Sequence, residues 1–343
     1  MNYELLRKLC ETTGASGNEQ EVRSIIYTEI KKYVKDVKID KFGNLIAHKK
    51  GNTPSVVLAS HMDEIGLIIK SINDKGQIFV SPIGGIEPVS LIGRMVSVRT
   101  KKGKVFGTLT IPELNDDDDV SNLPKISDLY VDTGFDKKEL AKLGIEIGSF
   151  IELVRELRQL ANKDFIVGKA LDDRIGCYVL IELAKMLRKT KSDVYFVFTV
   201  QEEVGLYGAK TSLYELTPDW AVVVDVTNAD DSHMHTHEAT KEVGKGPCIT
   251  VKDAEMIGNK CIDDWLKDIA KRHKIPFQLE VSDIGTTDAL SISISKGGIP
   301  TAVVGVAVRN LHTTSGIASL KDIENTIKLL SELIKNHPEV CLV

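Results

Sequence analysis

The sequence predicts an α/β fold: a largely parallel central sheet flanked by helices, with a small β-rich domain inserted into it. Three observations carry that expectation. Helical patterns alternate with strands that are apolar on both faces. The middle of the chain breaks into short strands cut by turns. Four apolar strands run into a histidine or an acid.

In chain order, "MNYELLRKLCETTG" is a short charged amphipathic helix. "SGNEQEVRSIIYTEIKKYV" places Ser16 and Glu19 at capping-box spacing and sets Val22, Ile25, Ile26 and Ile30 on one helical face. "KKGNTP" is a turn, and "SVVLAS" after it is a continuous apolar strand. From about Leu67 to Asp164 the character changes to "NDKGQIFVSP", "GRMVSVRTKKGKVFGTLT" and "GSFIELV", interrupted by one short helix, "DKKELAKLG". The α/β pattern then resumes. "GCYVLIELAKML" is a helix, "VYFVFTV" and "WAVVVDV" are strands, "CIDDWLKDIAKRH" is a helix and "TAVVGVAV" a strand. "SLKDIENTIKLLSELIKN" is a closing amphipathic helix. The expected division is therefore a discontinuous domain of residues 1–66 and 165–343, with 67–164 as the insertion.

Composition narrows the class. The 343 residues are 42% apolar and 27% charged, with a formal net charge of -5, which gives no electrostatic footprint for nucleic acid or an anionic membrane. No apolar run approaches the roughly 20 residues that a bilayer span needs, and the N-terminal segment lacks the apolar core of a signal peptide. The five cysteines (Cys10, Cys177, Cys248, Cys261, Cys341) are scattered and contain no CxxC pair. That argues against a disulfide framework and a thiolate zinc site and favours a reducing, cytoplasmic setting. The acidic run "LNDDDDVSNLP" is expected to be a solvated loop, because contiguous aspartates repel one another.

The chemistry sits where the strands end. "SVVLAS" runs into His61 and Asp63, "VYFVFTVQ" into Glu202 and Glu203, "WAVVV" into Asp225, and "TAVVGVAVRNL" into His312. Ligands of open α/β sheets bind beyond the carboxyl ends of the strands. "GKALDDRIGC" adds Asp172 and Asp173 just before a helix. Imidazoles mixed with carboxylates, and no thiolate, suit Zn²⁺, Co²⁺ or Mn²⁺ in a hydrolytic site. One bridging carboxylate, flanked by one His and one acid per ion, would hold two ions about 3.5–4 Å apart. Two adjacent glutamates can divide the labour there, one ligating and the other serving as general base.

"SHMDEIG", "KALDDRIG", "VQEEVGLYGA", "VVDVT" and a late His after an apolar strand resemble the M42 family of metallo-aminopeptidases, which includes glutamyl aminopeptidases and the tetrahedral aminopeptidases. "DLYVDTGF", "LGIEIGSFIEL" and "VGKGPCI" extend the likeness over nearly the whole chain. The resemblance implies a zinc-peptidase-like fold and a co-catalytic pair of divalent ions, Zn²⁺ or Co²⁺. Asp172 would bridge them, with His61 and Asp225 completing one site and Glu203 and His312 the other. Glu202 would be the general base and Asp63 would orient His61. Peptides would be the substrates, and the β-rich insertion would make the contacts of a homo-oligomer, a dodecamer built from dimers.

Three stretches depart from the family pattern. "SDIGTTDALS" holds Gly285, Thr287 and Asp288 where a Gly-Gly-Thr-Asp-Ala-Gly motif is usual. "GTLTIPELNDDDD" is short and acidic, and "DVTNADDSHMHTHEAT" replaces a Gly- and Pro-rich region. His233, His235 and His237 in the last are expected in an exposed loop outside the site. The residues that contact substrate are not legible. Competing readings are a metal-dependent deacylase of N-acyl amino acids, a non-catalytic metal- or peptide-binding scaffold, and an endoglucanase. For the last, Glu202 and Glu203 are too close in sequence to flank a sugar linkage.

Overall fold

Alternation along each apolar strand decides which face every side chain covers. The computed structural model describes residues 1–112, 123–187, 191–229, 231 and 241–337. Its centre is an eight-stranded sheet in the order Asp36–Ile39, Leu45–Lys49, Ser192–Thr199, Asn52–His61, Trp220–Asn228, Thr301–Val308, Cys248–Lys252 and Gln278–Val281. The third to sixth strands in that order are mutually parallel. They are the four strands whose sequences lead to the candidate ligands, so one sheet edge receives all of them. Antiparallel pairings occur only toward the flanks, where Leu45–Lys49 meets both its neighbours and Cys248–Lys252 runs against Thr301–Val308.

Val56, Leu58, Phe196, Phe198, Val222, Val224, Val304 and Val306 face one layer of helices. That layer holds Tyr3–Glu11, Gln20–Ile30, Leu171–Met186, Lys260–Arg272 and Leu320–Lys335. Val57, Ala59, Val197, Ala221, Val223 and Val303 point the other way, toward the shorter helices Tyr207–Ser212 and Asp288–Ser293. Each buried Val, Leu, Ile or Phe contributes about 1.5–3 kcal/mol relative to exposure. Two apolar faces are why these strands read as continuous apolar runs.

The middle of the chain forms a closed barrel of Gly66–Ile72, Ile78–Ile83, Met95–Thr100, Gly103–Thr110, Tyr130–Asp132 and Phe150–Leu153. It has its own core, built on residues such as Leu67, Ile78, Val96, Leu109, Val131 and Ile151. The expected helix there is Lys137–Lys142, capped reciprocally by Asp136 and Glu139. A three-stranded sheet of Arg158–Gln159, Phe165–Gly168 and Gly316–Ser319 joins the segment after the barrel to the segment after His312.

Some expectations need correcting. Ser16 and Glu19 form no capping box: the N-cap of Gln20–Ile30 is Glu19, with no side-chain cap, and the Ser16 hydroxyl goes elsewhere. Asp225 lies within its strand, which continues to Asn228. Cys261 is disulfide-bonded, a bridge that the scattered spacing hid, while Cys10, Cys177 and Cys248 are buried thiols outside any disulfide. Among the described residues no helix is long and apolar enough to cross a membrane. The acidic run at 116–119 lies outside the described residues, as do His233, His235 and His237.

Candidate metal centre

The candidate side chains arrive on several separate elements. His61 is the last residue of Asn52–His61. Glu202 and Glu203 follow Ser192–Thr199 after Gln201, which takes a left-handed backbone with φ of 54° and turns the chain into the site. His312 follows Thr301–Val308 and is itself left-handed, at φ 56°. Such conformations are uncommon outside glycine and cluster where a site needs a side chain re-aimed. Asp172 and Asp173 open the helix Leu171–Met186 with non-helical backbone angles, which sends two adjacent carboxylates in different directions.

The distances show what that achieves. Asp172 stands between the two imidazoles, with Oδ1 2.9 Å from His61 Nε2 and Oδ2 3.4 Å from His312 Nε2. Asp225 Oδ1 lies 3.7 Å from His61 Nε2, and Glu203 Oε2 lies 3.6 Å from His312 Nε2. Glu202 Oε2 is 4.0 Å from His61 Nε2. The Asp173 carboxylate is spent internally, accepting from the Ser60 hydroxyl at 2.6 Å and the Gly176 amide at 2.8 Å.

Asp63 organises the rest. Its Oδ1 accepts from the Glu202 amide at 3.0 Å, and its Oδ2 from the Glu203 amide at 3.2 Å and the Ser16 hydroxyl at 2.5 Å. His61 Nδ1 is 3.5 Å from Asp63 Oδ1 and 3.2 Å from the Asp63 carbonyl. One fully buried carboxylate thus fixes an imidazole and the backbone of both glutamates.

Burial and crowding dominate the electrostatics. Burial pushes Glu203 up to about 8, with the Asp172 charge adding to it. Burial likewise raises Asp225 to about 8 and lifts Glu202 well above the usual carboxylate range, helped by Asp225 and Asp288. Asp172 goes the other way: burial opposes its charge, yet His312 and His61 hold it below the ordinary range. The Asp172 hydrogen bond raises His312 to about 9, against burial. Asp63 also stays low despite burial, through His61, Ser16 and the Glu202 amide.

This donor set fits divalent cations. Two compact groups are available, His61 with Asp173 and Asp225, and Asp172 with Glu203 and His312. For the first group Asp172 is the better third donor, because both Asp173 oxygens already accept hydrogen bonds. Glu203 Oε1 is buried with no hydrogen-bond partner, a costly state for a carboxylate oxygen unless a cation supplies the missing interaction. Dications would also offset the burial, and the Asp172 charge beside it, that raise Glu203 and Asp225.

Several contributors escape sequence reasoning. The Ser16 hydroxyl, read as a cap, braces Asp63. Lys169 donates to Glu64 at 2.6 and 2.8 Å. The wholly buried Arg174 donates to the carbonyls of Met62 at 2.9 Å and Leu9 at 2.6 Å. These charges tie the segment after His61 to the segment around Asp172. Asp288, flagged only by its unusual motif, is buried, accepts from the Thr199 hydroxyl, and is raised by burial to about 6.

The M42 glutamyl aminopeptidase family model matches residues 43–329. A lysyl aminopeptidase of Pyrococcus furiosus is 35% identical over 98% of this chain and 97% of its own. A crystal structure of a TET aminopeptidase from a marine sediment Thaumarchaeota archaeon is 35% identical, with a TM-score of 0.93 over 98% of this chain and 96% of that one. A Pyrococcus horikoshii TET1 peptidase that can assemble into a tetrahedron or a large octahedral shell is 31% identical, with a TM-score of 0.88 over 97% and 98%.

Proposed function

The chain belongs to the M42 glutamyl aminopeptidase family, and from that premise we propose that it removes N-terminal residues from peptides with two divalent cations acting together. It is an aminopeptidase, a hydrolase of peptide bonds; the two-cation mechanism and the residue roles are our reading. The observation that carries them is Asp172, one oxygen toward His61 and the other toward His312.

In this reading Asp172 would be shared by the two ions, His61 and Asp225 would hold one of them, and Glu203 and His312 the other. Zn²⁺ or Co²⁺ suits the imidazole and carboxylate donors. When bound, the pair would polarise the scissile carbonyl and lower the pKa of water. Glu202 accepts the proton of the attacking water and passes it to the leaving amine. Asp63 keeps Glu202 aimed by holding its amide, and keeps His61 in the ligating orientation. Ser16 holds Asp63 in turn.

We further propose residues 1–66 and 165–343 as the catalytic domain and 67–164 as an insertion that makes subunit contacts. Support comes from the barrel's separate core, from Met95 and Phe106 exposed on it, and from the shells formed by the Pyrococcus horikoshii relative. A homo-oligomer follows, with a dodecamer of dimers as the expected form. A cytoplasmic location is part of the proposal, on the strength of the buried thiols of Cys10 and Cys177, which take part in no disulfide, set against the disulfide at Cys261.

The test is chelation followed by reloading. Activity on aminoacyl chromogenic substrates should vanish when metal is stripped and return with Zn²⁺ or Co²⁺. Full activity after verified metal removal would refute the two-cation mechanism.

A further inference from the structure

Resting on the two-cation reading, we propose that the inserted barrel finishes the metal centre, and that Gly84 and Gly85 are positioning residues for Glu203 and His312. The pair follows the barrel strand Ile78–Ile83, whose last residue pairs with Gly66. A methyl added to Gly84 would stand 3.1 Å from Glu203 Oε2 and 3.2 Å from its Cβ. One added to Gly85 would stand 3.1 Å from His312 Nδ1 and 3.5 Å from Cε1. Two consecutive barrel residues therefore lie against the two side chains read as holding one cation with Asp172. Their loop is fastened on both sides. Ile86 and Leu91 are buried in the barrel core. The Glu87 amide donates to the His312 carbonyl at 3.3 Å, and Arg94 Nη2 donates to the Ser315 hydroxyl at 3.4 Å.

A glycine pair after a strand is ordinarily a turn, and that explains Gly84, whose φ of 77° is left-handed. It does not explain Gly85, which lies outside the left-handed region and would accept another small residue on backbone grounds. Position 85 instead needs room for an imidazole. The contrast with His61 shows why that room matters. The His61 ring is set through Nδ1 by Asp63, the kind of partner that normally orients a ligating histidine. Among the described residues no side chain does this for His312, whose ion pairs with Asp172 and Glu203 both run through Nε2. Its Nδ1 edge faces the Gly85 backbone, so contact sets the ring where a hydrogen bond sets that of His61. A Cβ at 3.1 Å forces the imidazole to give by a few tenths of an ångström. Metal–ligand distances hold to within about 0.2 Å, so that displacement is enough to loosen a ligand.

The test uses the full chain, stripped by chelator and titrated with Co²⁺ while calorimetry and visible absorption follow each equivalent. Wild type should take up two ions per chain. Gly85→Ala should keep one affinity within about twofold and weaken the other about 10–100-fold, with Gly85→Val weaker still. Both variants, stripped of metal, should keep the wild-type melting temperature and the wild-type size in light scattering, which a general loss of structure would not allow. Added to Glu203→Gln, Gly85→Ala should change the remaining affinity little, because both substitutions strike the same ion. Wild-type affinity for both ions in Gly85→Ala and Gly85→Val would overturn the positioning role and leave the two-cation reading intact. So would weakening of both ions together with a lowered melting temperature. Wild type that takes up one ion or none would overturn the two-cation reading itself, and the role of the glycine pair with it.

Discussion

Asp63 explains how two adjacent glutamates can take different jobs. Its carboxylate holds both their amides, so the backbone is fixed and successive side chains must diverge. Glu203 then sits 3.6 Å from His312 Nε2, and Glu202 4.0 Å from His61 Nε2. Glu202→Gln should keep two ions per chain while lowering kcat by about 10²–10⁴-fold, the usual loss on removing a general base. Glu203→Gln should instead lose bound metal. Metal analysis beside kcat on purified variants checks both, and the reverse pattern would exchange the two roles. At this scale His61, Glu202, Glu203 and His312 were legible because each ends or follows an apolar strand, where a polar residue has few structural uses; Asp225 stood out inside such a strand, and Asp172 only as one of two adjacent acids before a helix. Ser16 was not, since Ser-x-x-Glu before an amphipathic run reads the same whether or not the hydroxyl caps the helix. Lys169 and Arg174 were hidden because a cation beside acids in sequence is ordinarily solvated. Their burial follows from the fold bringing the Leu9 and Met62 carbonyls around Arg174.

Among the helices, Lys260–Arg272 carries an acid on its inward face. Asp263 is buried, its Oδ1 has no hydrogen-bond partner, and burial pushes it up to about 7 although Lys267 pulls down. The folded state therefore binds a proton more tightly than the unfolded chain does. Stability from this group is greatest below the unfolded carboxylate value of about 4 and falls as pH rises toward 7. Asp263→Asn should raise the melting temperature at pH 8 and change it little at pH 4. Equal effects at both pH values would contradict the linkage. The long helices and the four central strands could be read from period and apolar length alone. The flanking strands Asp36–Ile39, Cys248–Lys252 and Gln278–Val281 could not, because four or five residues with one polar face resemble loop. Their place is set by pairing to the central strands rather than by local preference.

Across the whole molecule, the barrel interrupts the chain between His61 and Asp172, yet strands from both sides of it share one sheet. Turn-cut short strands made the inserted module visible in sequence, but closure into a barrel depends on pairings between distant strands that no local pattern records. Removing 67–164 and joining the ends should leave smaller species than the wild type in light scattering. An unchanged assembly would place the subunit contacts elsewhere. The cation pair itself is open to a direct count. Protein stripped by chelator is titrated with Zn²⁺ or Co²⁺ while bound metal, by mass spectrometry, and hydrolysis of a leucyl p-nitroanilide are followed together. If Asp172 bridges two ions that act jointly, activity rises to its plateau only as occupancy reaches two per chain. A plateau already reached at one ion per chain, or turnover with none bound, would contradict it.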